Sequence, residues 1–120
     1  MAKGDITHVD IPADDIERAT RFYRAVAGWD VAPVEGFPGY NMFRTGERSG
    51  GGIGQRGKTA PNVLRIYVSV DSLEEAVATA EKEGGSVVQP PTQISGMGRY
   101  AAVLDTEGNE VGLYESASAR

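Results

Sequence analysis

The chain has 120 residues, a net charge of -5 and no cysteine, which excludes disulfides, thiolate metal sites and thiol nucleophiles. Its acidic balance argues against a nucleic-acid partner, which needs a basic face, and no apolar run is long enough to span a membrane. A domain of this length buries roughly two-thirds of its unfolded surface and folds without a covalent staple. No apolar stretch follows Met1-Ala2-Lys3-Gly4-Asp5, so no secretory leader is expected. The missing cysteines suit a reducing cytoplasm, the compartment expected here.

The first strand is predicted over Ile6 to Ile11. A helix follows from Asp15 to Ala27, entered through Asp14-Asp15-Ile16-Glu17 and stopped by Gly28. Ile16, Ala19, Phe22, Tyr23 and Val26 fall on one face of it, and Arg18, Arg21 and Arg24 on a solvated one. Trp29 to Ala32 reads as a short strand limited by Pro33, with Tyr40 to Arg44 and Gly52 to Arg56 as two more. A polar, breaker-rich linker covers residues 57–62. The pattern then restarts. Val63 to Val70 is a strand, and Ser72-Leu73-Glu74-Glu75 is a capping box. It opens a helix with Leu73, Ala76, Val77 and Ala80 on its apolar face. Gly84-Gly85 ends that helix. Ser86 to Val88, Arg99 to Leu104 and Glu110 to Tyr114 are three further strands, the last two joined by a turn over Asp105 to Asn109.

The order is therefore strand, helix, three strands, twice over, and an internal repeat of this kind decides a fold. An offset of 71 − 14 = 57 takes Asp14 to Asp71, Ile16 to Leu73, Ala19 to Ala76 and Gly28 to Gly85. The expected architecture is α+β. Module one covers about residues 5–56 and module two about 63–115. Their eight strands curve into one sheet, a cup with the helices on its outer face. Val9, Ile11, Leu64, Ile66, Val68, Val111 and Leu113 are expected to point towards the helices, with Phe22 and Leu73 buried there.

Ile6-Thr7-His8-Val9-Asp10-Ile11-Pro12, followed by Ala19 and Phe22-Tyr23, resembles the opening of the glyoxalase/bleomycin-resistance/dioxygenase proteins, the vicinal oxygen chelate superfamily. Val68-Ser69-Val70-Asp71, Gly84-Gly85, Pro90-Pro91, Gly98-Arg99-Tyr100 and Asp105 to Asn109 resemble its second half. The likeness runs from about residue 5 to 115, with Thr106 standing where the family's turn usually has proline. It implies a ligand cup between the modules, a homodimer and, in metal-dependent members, two metal ligands from each module. His8 matches the first ligand. The other three positions hold Arg65, Gly112 and a residue near Gly52, so one ligand of four survives. A divalent site needs at least three, and no cofactor or metal is expected.

The remaining chemistry is weighed residue by residue. His8 reads as a hydrogen-bonded, pocket-lining histidine, with Asp10 on the same strand face. Glu115 is near the expected ligand position but of opposite parity to Gly112. Arg65 is either an anion anchor or a salt-bridge partner of Asp10 or Glu110. Gly52-Ile53-Gly54-Gln55-Arg56-Gly57 matches a dinucleotide pattern, yet a strand rather than a helix follows it. Ser49, Ser69 and Ser95 have no neighbour that makes a nucleophile. Tyr67 shares a face with Arg65, and Tyr114 with Gly112. The ligand-binding set is thus His8, Asp10, Met42, Gly52, Arg65, Tyr67, Gly112 and Tyr114. The expected function is metal-independent binding of a small, possibly anionic organic ligand, with neither nucleic acid nor membrane as partner. The alternative is a metal-dependent lyase, epimerase or extradiol dioxygenase using His8.

Overall fold

A computed structural model describes residues 2–94 and 96–117; Ser95 lies outside the described residues. Among the described residues eight strands and two helices make an α+β protein of two βαβββ modules, as the repeat requires. Module one holds β1 (Ile6–Ala13), α1 (Ile16–Ala27), β2 (Ala32–Val34), β3 (Phe37–Arg44) and β4 (Gly50–Gln55). Module two holds β5 (Arg65–Ser69), α2 (Leu73–Lys82), β6 (Ser86–Ile94), β7 (Gly98–Leu104) and β8 (Glu110–Glu115). By contacts the chain divides into Thr7–Arg65 and a second unit of the remaining residues. Residues 2–6 fall in the second unit, where Gly4 and Asp5 exchange backbone hydrogen bonds with Ser69.

In module one the strand order is β2-β3-β4-β1, with β1 and β4 parallel and the other pairs antiparallel. In module two it is β5-β8-β7-β6, with β5 and β8 parallel. A parallel pair needs a crossover. In each module the first and last strands are the parallel pair, and the helix and two middle strands form the connection.

The helix entries follow the same offset. Asp15 caps α1 by accepting from Arg18 N–H at 3.0 Å, and Ser72 caps α2 by accepting from Glu75 N–H at 3.3 Å. The exits differ. Gly28 closes α1 in the left-handed region, at φ 71°. In α2 the left-handed residue is Gly84, not Gly85, which the offset selects. A Cβ at Gly85 would instead press on the carbonyl of Leu104. One glycine therefore supplies a turn and the other a close approach.

Each module has its own core between its helix and one sheet face. Ile11, Ala13, Val31, Phe43 and Ile53 are buried in the first, with Val9, Ile16, Ala19, Tyr23 and Trp29 packed on them. Trp29 is not in a strand. It stacks on Phe43 at 4.1 Å and on Tyr23 at 5.3 Å. Leu73, Ala101, Val103 and Leu113 are buried in the second core, against Val68, Val77 and Val111.

Three expected core residues are exposed: Phe22 by 56%, Leu64 by 57% and Ile66 by 36%. Leu64 precedes β5, which starts one residue later. The inner face of α1 is Ile16-Ala19-Thr20-Tyr23, about a third of a turn from Phe22. Polar Thr20 is buried because Asn41 donates to its hydroxyl at 3.1 Å. A wheel scored on apolarity alone misses that centre. Arg18, Arg21 and Arg24 are exposed, as expected, and Arg24 also donates to the Val31 carbonyl through Nε and Nη2.

Both proline-bearing strands run further than expected. β2 includes Pro33, and β6 continues through Pro90 and Pro91. Each is an end strand of its module, where a missing N–H breaks no ladder on the open side. β6 also shifts register between Val87 and Gln89 and between Gln89 and Thr92.

The β7–β8 turn is built by Asp105. Its carboxylate accepts from Asn109 and Glu107 N–H and from the Asn109 side chain. Those donors, Asn109 first, hold its carboxyl below its ordinary value of 3.8. A depressed folded-state value stabilises above the unfolded one and is lost as pH falls through the folded one. An Asp105→Ala chain is therefore expected to melt lower at neutral pH and to lose less stability on acidification below about pH 4. Melting curves at stepped pH check this; equal acid sensitivity of the two chains counts against it.

Candidate functional site

Successive residues of a strand face opposite ways. In β1, Val9, Ile11 and Ala13 join the core, so His8, Asp10 and Pro12 project from the other face. In β3, Phe43 joins the core and Asn41 reaches Thr20, which puts Tyr40 and Met42 on the same side as His8. Between these strands runs β4, whose Gly50, Gly52 and Gly54 pair with His8, Asp10 and Pro12 on one side and with Arg44, Met42 and Tyr40 on the other. Three side chains are missing from the middle of this face.

Tyr40 fills the space. A Cβ on Gly52 would collide with Cζ and Oη of the Tyr40 ring. Lying across β4, the ring carries its hydroxyl to β1. It donates to Asp10 Oδ1 at 2.5 Å and stands 2.7 Å from His8 Nε2, which is itself 3.1 Å from Asp10 Oδ1. Asp10 is buried and His8 half-buried. Charge-assisted O–H···O bonds are the short, strong ones, and a buried carboxylate needs such partners.

Module two has a similar device. Tyr67 pairs with Gly112, and a Cβ there would collide with the Tyr67 ring. Tyr67 meets Tyr100 edge-on at 6.2 Å. Tyr114 is held by a hydroxyl bond to the Met97 carbonyl at 2.5 Å. The volume released by Gly52 and Gly112 is therefore taken up by tyrosine rings and is not open space. Arg65 shares a face of β5 with Tyr67 and is 8% exposed. Its Nε is buried without a hydrogen bond, while the residue has other partners.

Sequence reasoning missed Tyr40. The signal lay in a second offset. Strands β3 and β4 map onto β7 and β8 with 100 − 40 = 60 for Tyr40 and Tyr100 and 112 − 52 = 60 for Gly52 and Gly112. The ladders agree, since Tyr40 pairs with Gly54 and Tyr100 with Tyr114.

Glu115 belongs to the opposite face, as its parity indicates. It is 2% exposed, accepts Leu73 N–H at 3.0 Å and receives the Arg99 guanidinium. Arg99 also binds Glu74. Hydrogen bonds from Glu74 and then Glu115 raise its pKa above its ordinary value. This clasp ties the start of α2 to β7 and β8, a structural use of the carboxylate.

The divalent ion that the resemblance implies in metal-dependent relatives does not fit these residues. Two ligands of a tetrahedral ion, each about 2.0–2.2 Å from it, stand about 3.3–3.6 Å apart. Tyr40 Oη is 2.5 Å from Asp10 Oδ1 and 2.7 Å from His8 Nε2, separations that share a proton. Gly52 and Gly112 offer no donor atom. Among the described residues no three His, Asp or Glu side chains gather into a metal-binding group.

Residues 5–46 match the family model for the N-terminal part of bleomycin resistance protein-like chains. A Mycobacterium bovis protein named "Putative glyoxylase CFP32" is 29% identical over 95% of this chain, which spans only 46% of that relative. A glyoxylase-like domain-containing protein of Didymella fabae is 27% identical over 88% of this chain and 89% of its own. A methylmalonyl-CoA epimerase, solved with methylmalonyl-CoA, superposes with a TM-score of 0.67 at 20% identity, covering 99% of both chains. At that identity the structural likeness shows the fold alone. The chain spans about half the length of several curated relatives it matches.

Proposed function

We propose that this chain, whose family match, relatives and fold all fit the glyoxalase/bleomycin-resistance superfamily, is a metal-independent small-molecule-binding protein. Its ligand is received on the face that carries His8, Asp10, Tyr40 and Met42. The observation that carries this reading is the Tyr40 ring on Gly52, with its hydroxyl on Asp10 and His8. Tyr40 satisfies the donors that a cation would otherwise recruit, and it leaves a polar, hydrogen-bonding floor. Such floors, with a few fixed polar groups among apolar walls, suit small organic ligands.

Arg65 gives the ligand its charge preference in this reading. A planar guanidinium suits a carboxylate, and each charge-assisted bond contributes about 1.5–3 kcal/mol. Two measurements test the proposal. Elemental analysis after growth in metal-supplemented medium is expected to find no stoichiometric zinc, nickel, iron or manganese. One ion per chain, lost in His8→Ala, refutes metal independence. A thermal-shift screen of small carboxylates and phosphates is expected to find stabilisation that vanishes in Arg65→Met. If no anion stabilises the protein while Arg65→Met and Asp10→Asn destabilise it non-additively, Arg65 serves a salt bridge instead.

A further inference from the structure

A groove runs on module one between α1 and the C-terminal end of β1. Its volume of about 390 Å³ falls within the range, about 300–1,000 Å³, of clefts that take small ligands. We propose that this groove is a second small-molecule site, on the helix side of the module and separate from the face of His8, and that it takes a small aromatic carboxylate. Arg18 holds the carboxylate and Phe22 the ring. The proposal stands whether or not the face of His8 binds a ligand.

The charged groups of the groove are Asp14, Asp15, Arg18 and Arg56. All but Arg18 are engaged through their side chains. Arg56 donates to Asp14 Oδ1 at 3.0 Å and to the Asn62 carbonyl at 3.0 Å. Asp15 accepts the Arg18 N–H as the cap of α1, where the helix dipole offsets its charge. Among the described residues no side-chain hydrogen bond or ion pair engages the Arg18 guanidinium. A guanidinium only donates, so the group it lacks is an acceptor, and a carboxylate matches its planar fork. Phe22 stands one turn further along the same face of α1. Its side chain is 56% exposed and meets Tyr23 edge-on at 5.1 Å. Tyr23 and Ile11 continue the apolar wall of the groove. An unpaired cation beside an exposed ring suits a ligand with an anion at one end and a flat aromatic surface at the other. The internal repeat supplies a control. At the offset of 57, Arg18 and Phe22 correspond to Glu75 and Thr79 of α2, which are exposed as well. Packing in such a module therefore does not itself call for an arginine and a phenylalanine at these places.

Amide ¹H–¹⁵N correlation spectra of the full chain, titrated with benzoate, read both the place and the strength of binding. Saturable shifts are expected at Asp15, Arg18, Ala19, Phe22 and Tyr23. Benzyl alcohol, which keeps the ring and loses the charge, is expected to bind about tenfold or more weakly than benzoate. Cyclohexanecarboxylate, which keeps the charge and loses the aromatic faces, is also expected to bind more weakly than benzoate. Arg18→Gln should abolish the preference over benzyl alcohol, and Phe22→Ala the preference over cyclohexanecarboxylate. Both side chains are exposed, so both variants are expected to fold. Benzoate shifts confined to residues 8–10 and 40–42 would place the anion on the face of His8 alone and overturn the proposal. So would the absence of a saturable response at millimolar benzoate, or a benzoate affinity that either substitution leaves unchanged.

Discussion

Phe43→Ala is expected to destabilise the protein by about 3–5 kcal/mol, while Phe22→Ala costs about 1 kcal/mol or less. Phe43 is 3% exposed and stacks flat against Trp29 at 4.1 Å, with an interplanar angle of 5°. Its removal leaves a cavity between Trp29 and the Val31, Ile53 and Ile11 side chains of the same core. Close-packed surroundings relax only partly into such a void. Phe22 touches Tyr23 edge-on at 5.1 Å and is otherwise open to solvent on α1. Urea denaturation of the two variants separates them. Losses of similar size would return Phe22 to the core and refute the assignment of Ile16, Ala19, Thr20 and Tyr23 as the inner face.

Gly52→Glu, which places near its implied position the last-strand carboxylate that the resemblance gives to metal-dependent relatives, is expected to lose about 3 kcal/mol or more and to gain no metal affinity. The new side chain would have to occupy the Tyr40 ring's place. Expelling the ring also strips Asp10 of its 2.5 Å hydroxyl bond, and burial of an under-bonded carboxylate is costly. The pair should therefore couple. Gly52→Glu combined with Tyr40→Ala is expected to be more stable than the sum of the single losses predicts, because the second change makes room for the first. Denaturation of the double-mutant cycle measures this. A Gly52→Glu chain as stable as the parent would mean that the ring moves aside without cost, and the account of the site would fail.

The limits of sequence reading show at particular residues. Residues repeating at an offset of 57 located both helix entries at Asp15 and Ser72, because caps are local properties of the chain; that the first and last strands of each module run parallel came from the structure. Gly84-Gly85 together marked the end of α2, and the offset pairs Gly28 with Gly85 although Gly84 is the left-handed residue, since the two-residue shortening of α2 relative to α1 has no local mark. Pro33 was read as a limit although it lies inside β2, and β6, expected to end at Val88, runs on through Pro90. Whether a proline breaks a strand depends on whether that strand has a neighbour on each side.

At the site, parity along β1 and β5 placed His8 with Asp10 and Arg65 with Tyr67, and the resemblance pointed to Gly112 and a position near Gly52 as places where metal-dependent relatives carry carboxylates. What filled their places was not visible. Tyr40 is 30 residues from Asp10, and only the ladder that sets β4 between β3 and β1 brings them together. By itself, the order of amino acids determined the α+β repeat and the helix caps, both a matter of residue identity and short-range spacing. Tertiary structure alone decided that Thr20 and not Phe22 faces the core, that Glu115 clasps α2, and that a tyrosine ring lies on Gly52 with its hydroxyl donating to Asp10. Those outcomes depend on which strands are neighbours and on how much room one side chain leaves for another.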